Sequence, residues 1–358
     1  MRIYCRLIVV FLLLFALDLV GGCAPKKPAP DRALPNLLND ALFIADLDKA
    51  GGSGRAGIVV VAPGSGFAGE DRDLAYALAH KAGLLFPEKA VDAGRVPYTA
   101  NNDEQRLHLL ADALTRPDID IIWAMRGGYG SSRLLEDLAA LKLDPERKKI
   151  LVGYSDITFL HLFLHKLGWQ SVHGSMLWEM THPDKDENNF RLLAALLSGR
   201  LPELRYEGLR PANKAAREQA SPIQGPLIGG NLTCLTATAG TPWAPEGEGA
   251  ILFLEDVNEP GYKIDRMLIQ LRQIGLLGKA RAVLLGSFTR GDKDSTFALQ
   301  RFADNCPIPV FTSDLFGHGA KNYPLVLNAP AVIDRNVADN FALRIDLRHF
   351  FSQKYNMN

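Results

Sequence analysis

Ser155 stands in the segment Gly153-Tyr154-Ser155-Asp156-Ile157, straight after the apolar run 150–153 and straight before an apolar stretch with helical spacing. A strand that stops at a glycine and turns sharply into a helix lifts a serine hydroxyl out of the sheet. It also leaves neighbouring backbone N–H groups facing any oxyanion formed there. The segment departs from the G-x-S-x-G pattern, because Ile157 occupies the place of the second glycine. A serine that merely caps a helix over 156–166 is the plainer reading of the same residues.

A serine becomes a nucleophile only with a base to take its proton and a third group to orient that base. His318 is the most suggestive of eight histidines: it lies in Leu315-Phe316-Gly317-His318-Gly319, on a loop after an apparent strand at 309–312. Glycines on both sides let such a loop approach another backbone closely. Glu255 ends the apolar strand 251–254, the kind of place where α/β sheets collect catalytic groups, and Asp256 and Glu259 compete with it locally. Taken singly, a histidine with a satisfied hydrogen bond and a strand-end carboxylate with a basic partner are the commoner roles. The stretch Arg126-Gly127-Gly128-Tyr129-Gly130 follows a strand too, and a glycine-rich turn there can cradle a phosphate. Its continuation, Ser131-Ser132-Arg133, breaks the G-x-G-x-x-G pattern, so nucleotide binding is not expected.

The elements that must position these residues alternate between the two periodicities. Val59-Val60-Val61 reads as a buried strand and 71–82 as a helix; in 103–114, Leu107, Leu110, Ala111 and Leu114 share one helical face, with Asp103 able to cap. A strand at 119–124, a loop at 126–130, a helix at 132–141 and a strand at 150–153 continue a β-α-β alternation. That order implies a parallel sheet with helices on both faces. The stretch 202–224 is polar and broken by prolines, and is expected to be a linker. Beyond it, strands at 250–254 and 282–285 flank a helix at 262–274 whose Ile264, Met267, Leu268 and Leu271 share a face. The chain of 358 residues exceeds what one core usually organises, so two domains are expected, 51–201 and 225–350.

The first residues bear on location. Arg2 and Arg6 precede the apolar run 7–17, Asp18 interrupts its end, and Val20-Gly21-Gly22-Cys23 places small residues before a cysteine. The run is too short to span a membrane and reads as a lipoprotein signal peptide, 1–22, whose removal leaves Cys23 as a lipidated N-terminus. Residues 23–50 then form a tether, rich in proline and charge over 24–31. Ala24, in place of an aspartate, points to the outer membrane in a diderm cell, with the body facing the periplasm. Lys+Arg and Asp+Glu both number 40, so no basic field argues for nucleic acid. Beyond the first 23 residues only Cys234 and Cys306 remain, without zinc-ligand spacing; whether they pair stays open. No metal or other cofactor is expected.

Several of these segments occur in a recognisable order. Arg126-Gly127-Gly128-Tyr129-Gly130, Gly153-Tyr154-Ser155-Asp156, His173-Gly174, Gly229-Gly230-Asn231-Leu232, Gly240-Thr241-Pro242, Leu254-Glu255-Asp256-Val257-Asn258-Glu259, Asp265-Arg266-Met267-Leu268 and Phe316-Gly317-His318 follow one another. The order resembles that of the LD-carboxypeptidases, the muramoyltetrapeptide carboxypeptidase family that includes microcin-immunity peptidases. The match runs from about residue 59 to 346. The resemblance implies an N-terminal parallel α/β domain with a smaller C-terminal domain of the swivelling β/β/α type. It further implies a serine peptidase triad, with Ser155 as nucleophile, His318 as general acid/base and Glu255 as orienter. By the same resemblance, the backbone N–H of Gly127 or Gly128, with that of Asp156, forms an oxyanion hole, and Arg126 is a candidate for a substrate carboxylate, although a structural ion pair suits it equally. The expected reaction releases terminal D-alanine from peptidoglycan tetrapeptide stems or muropeptides without a metal. The expected partners are that substrate and, through the N-terminal lipid, a membrane, with room for a homodimer. A microcin-immunity-type peptidase and a non-catalytic cell-wall-binding lipoprotein are the alternatives.

Overall fold

The computed structural model describes residues 34–52, 57–67, 69–92, 96–335, 340–348 and 350. The expected signal segment and Cys23 lie outside the described residues. The later part of the expected tether does not remain extended. Asp40 caps a helix, Ala41–Ala50, by accepting from Leu42 N at 2.9 Å and Phe43 N at 3.0 Å. Phe43, Leu47 and Ala50 fall on one face and are buried, and Asp46 accepts from Ser198 Oγ at 3.0 Å, so this helix packs against the end of the helix Asn188–Leu197. Proline and charge at 24–31 say nothing about the apolar spacing that begins ten residues later.

The first sheet contains β1 (Ile58–Val61), β2 (Ile121–Ala124), β3 (Ile150–Gly153) and β4 (Ser171–His173) in that spatial order. All neighbouring pairs among these four are parallel, with Ile58 opposite Ile121 and Ile121 opposite Ile150. Every residue of β1, β2 and β3 is buried, which is why they read as unbroken apolar runs: both faces are covered. The helix Asp103–Thr115 contributes Leu110, Ala113 and Leu114 to the same core as Val59, Ile122 and Leu151. Its cap is Asn102, which accepts from Gln105 N at 2.8 Å; Asp103, expected to cap, instead pairs with Arg106 at 2.5 Å and Arg133 at 2.6 Å.

The second half closes into a barrel. It is formed by β5 (Glu203–Pro211), β6 (Ile223–Asn231), β7 (Ile251–Val257), β8 (Ala282–Thr289), β9 (Val310–Gly317), β11 (Pro330–Arg335) and β12 (Phe341–Asp346), ordered β11-β12-β5-β9-β8-β7-β6. Strands β6 to β9 run parallel, whereas β5, β11 and β12 pair antiparallel. The helix Gly261–Gln273 buries Ile264, Met267, Leu268 and Leu271 against this core, the face its spacing indicated.

The segment 202–224 is therefore not a linker. It supplies β5, which joins β12 to β9, and its alternation of exposed and buried residues is that of a strand with one wet face. A further strand, β10 (Leu325–Leu327), leaves the barrel half and pairs antiparallel with β4, Leu325 lying opposite His173. Pro35–Asn358 is consequently one compact unit, with the sheet and barrel stitched together.

Candidate functional site

β3 ends at Gly153, and Ser155 opens a single 3₁₀ turn, Ser155–Ile157, that feeds the helix Thr158–Lys166. Ser155 has φ 62°, a left-handed conformation that costs any residue with a side chain. Ile157, the departure from the G-x-S-x-G pattern, is buried beneath this turn: a Cβ at Gly153 would stand 2.9 Å from Ile157 Cγ1. The empty position at 153 makes the room that the absent second glycine would have made at 157.

The glycine-rich loop after β2 lies against the serine. A Cβ at Gly127 would fall 3.0 Å from Ser155 Cβ and 3.3 Å from its Oγ, so a side chain there would press the serine out of place by a few tenths of an ångström. The loop is held from several sides. Ser65 N donates to the Gly127 carbonyl at 2.9 Å, Tyr129 N donates to Ser65 Oγ at 3.0 Å, and the buried Arg106 donates to the Gly130 carbonyl at 3.0 Å and to that of Pro63. The Asp156 side chain accepts from Ser131 N at 2.9 Å; burial pushes its carboxyl pKa up.

Glu255 on β7 and His318 just beyond β9 meet on the barrel rim. His318 Nδ1 lies 2.6 Å from Glu255 Oε2, and Glu255 is completely buried. Gly317 makes the contact possible: its φ is 104°, and a Cβ there would sit 2.9 Å from both Glu255 Cβ and Oε2. Of the competing carboxylates, Asp256 accepts from Thr233 N at 2.9 Å and Asn231 Nδ2 at 2.9 Å, while Glu259 pairs with Lys263 at 3.4 Å. Neither is the partner of His318.

Burial alone would raise the Glu255 pKa, but the His318 charge and hydrogen bond, helped by His173 and Asn231, hold it below the usual carboxylate range. Burial likewise pulls His318 down, yet Glu255, with Glu179 and Asp256, brings it above the ordinary histidine value. The carboxylate accepts the proton on Nδ1, leaving Nε2 as the nitrogen available to a neighbour. Sequence reasoning missed Asn231, which caps the helix Leu232–Ala237 and also donates to Glu255 Oε1 at 3.4 Å.

Ser155 and His318 line one cavity of about 220 Å³ between the sheet and the barrel, with Arg126, Gly127 and Gly128 on the loop side. A hydroxyl and an imidazole on one cavity, the imidazole backed by a buried carboxylate, are the parts of acyl transfer through a covalent intermediate. Arg126 donates to the Gly66 carbonyl at 2.8 Å and lies over the Phe67 ring at 5.0 Å; burial pushes its guanidinium pKa down.

The cavity also holds Tyr154, Glu179, Lys185 and Arg290, none of which was given a role from the sequence. Tyr154 donates to Glu179 Oε1 at 2.6 Å, and Lys185 stands 3.0 Å from the same oxygen while donating to the Gly319 carbonyl at 2.8 Å. His173, whose burial lowers its pKa to about 3, packs edge-on to Tyr154 at 5.5 Å. Neither of its ring nitrogens has a hydrogen-bond partner among the described residues. A second cavity, of about 370 Å³, opens beside the helix Gly261–Gln273 and contains none of the expected site residues. Cys306 faces it, and both Cys306 and the buried Cys234 are free thiols.

Comparison with known proteins follows the two halves of this architecture. The model of the LD-carboxypeptidase N-terminal domain matches residues 58–174, and that of the C-terminal domain matches 224–333. A Rickettsia conorii protein named "putative carboxypeptidase" is 41% identical over 252 residues, covering 70% of this chain and 79% of its own. The murein tetrapeptide carboxypeptidase of Pseudomonas aeruginosa is 34% identical over 258 residues, covering 68% and 81% respectively. Among solved structures, the muramoyltetrapeptide carboxypeptidase from Oxalobacter formigenes superposes with a TM-score of 0.68 at 32% identity, over 81% of this chain and 98% of that one.

Proposed function

This chain belongs to the LD-carboxypeptidase family, and we propose that it is a serine carboxypeptidase that hydrolyses the L,D-peptide bond releasing terminal D-alanine from peptidoglycan tetrapeptide stems or muropeptides. The observation that carries the reading is the 2.6 Å contact between His318 Nδ1 and the buried Glu255, on a cavity that Ser155 shares. Nε2 of His318 takes the proton of Ser155 as its Oγ attacks the scissile carbonyl. The tetrahedral oxyanion is met by the N–H of Gly127 or Gly128 together with that of Asp156. His318 then passes the proton to the departing D-alanine amine, and water, activated by the same imidazole, hydrolyses the acyl-enzyme.

Two tetrapeptides that differ only in the chirality of the last alanine test the bond specificity. D-alanine should be released and the L-epimer left whole; equal cleavage of both would remove the L,D assignment. We also propose export and lipidation at Cys23, supported by the order of basic, apolar and small residues before that cysteine. A radiolabelled fatty acid should mark the wild type and not Cys23→Ser. Equal labelling of the two would exclude Cys23 as the anchor.

A further inference from the structure

Three long cationic side chains line the cavity, and they differ in what they already hold. Lys185 is taken up by Glu179 and the Gly319 carbonyl, and Arg126 by the Gly66 carbonyl and the Phe67 ring. The exposed guanidinium of Arg290 has neither a hydrogen bond nor an ion pair with any described residue. Its backbone is nevertheless fixed in an unusual way. Arg290 follows the last residue of β8 with φ 56°, a conformation that a long side chain rarely adopts and that tends to persist where function requires it. The turn is clamped on both sides: Asn258 N donates to the Thr289 carbonyl at 2.9 Å, and a Cβ on Gly291 would lie 2.6 Å from the Glu259 carbonyl oxygen.

Arg290 also belongs to a particular wall. β8 lies between β7 and β9, the strands that deliver Glu255 and His318, whereas Arg126, Gly127 and Gly128 come from the sheet side with Ser155. In the reaction proposed above, on which this inference rests, the oxyanion forms beside the glycine loop and the leaving amine must be within reach of His318. The carboxylate of a C-terminal residue is one carbon away from that amine. It therefore lies on the barrel side, where the uncommitted cation is.

We propose that Arg290 binds the terminal carboxylate of the departing residue and so makes the enzyme an exopeptidase. A guanidinium pairs a carboxylate through two parallel N–H donors, a geometry that neither a carboxamide nor a continuing peptide chain can match. Loss of a hydrogen-bonded charge partner weakens binding by about ten- to a hundred-fold.

The test compares a tetrapeptide ending in free D-alanine with the same peptide ending in D-alanine amide. Wild type should prefer the acid. Arg290→Gly, which removes the cation but keeps the left-handed backbone, should raise KM for the acid about ten- to a hundred-fold with a smaller change in kcat, and leave the amide nearly unchanged. Arg290→Lys should fall between them. If Arg290→Gly slows acid and amide in parallel, or keeps the wild-type preference, the assignment of Arg290 is wrong while the carboxypeptidase reading stands. If wild type releases no D-alanine from the acid, that reading and this inference fail together.

Discussion

At the scale of single residues, the Glu255–His318 pair makes activity sensitive to acid in a defined direction. His318 accepts the serine proton only when neutral, and Glu255 holds its pKa above the ordinary 6.5. The acid limb of kcat/KM should therefore have its midpoint above 6.5, with activity lost as pH falls through it. Glu255→Gln removes the charge that raises the imidazole, so its limb should move to lower pH while the plateau drops. An unmoved limb in Glu255→Gln would show that another group titrates there. The three residues of this site were legible only together: a strand-to-helix turn, a strand-end carboxylate and a histidine between glycines each suit a structural role when read singly, and the order of the blocks around them is what assigned them to one site. Glu179, Lys185 and Arg290 carry no local signature, and Asn231, although it stands in the block Gly229-Gly230-Asn231-Leu232, was given no role there. Their significance arises from contacts between segments far apart in sequence, such as Asn231 with Glu255 or Lys185 with Gly319.

At the scale of elements, the serine turn depends on one vacant position. Ile157 fills the space above Gly153, with Ala124 of β2 3.0 Å from the site of a Cβ there. Gly153→Ala should destabilise the protein by about 1–3 kcal/mol through overpacking, read as a lower urea midpoint, and should reduce turnover by shifting Ser155. A variant with wild-type stability would mean that the turn can relax without cost. Buried parallel strands announced themselves as apolar runs, and β3 emerged with the bounds expected. β5 escaped notice because its alternating pattern, Glu203 to Pro211, faces water on one side and is flanked by prolines, so composition imitated a linker. The helix Ala41–Ala50 was obscured by the proline-rich residues ahead of it.

At the scale of the whole molecule, the site exists only where sheet and barrel meet. Ser155 comes from the sheet and Glu255 and His318 from the barrel, while β10 crosses back to pair with β4, where His173 lies opposite both Gly153 of β3 and Leu325 of β10. That exchange locks the two walls in register, which a proton relay between them requires. Neither the closure of the barrel nor the return of β10 follows from local periodicity, because both are set by pairing over more than a hundred residues. The measurement closest to the central claim is mass spectrometry of a defined tetrapeptide incubated with wild type and with Ser155→Ala, each shown to be folded by circular dichroism. Wild type should yield tripeptide and free D-alanine, and Ser155→Ala should be slower by about 10⁴-fold or more. Release of D-alanine by Ser155→Ala at the wild-type rate, or cleavage by wild type at any other bond with the terminal alanine left in place, would contradict it.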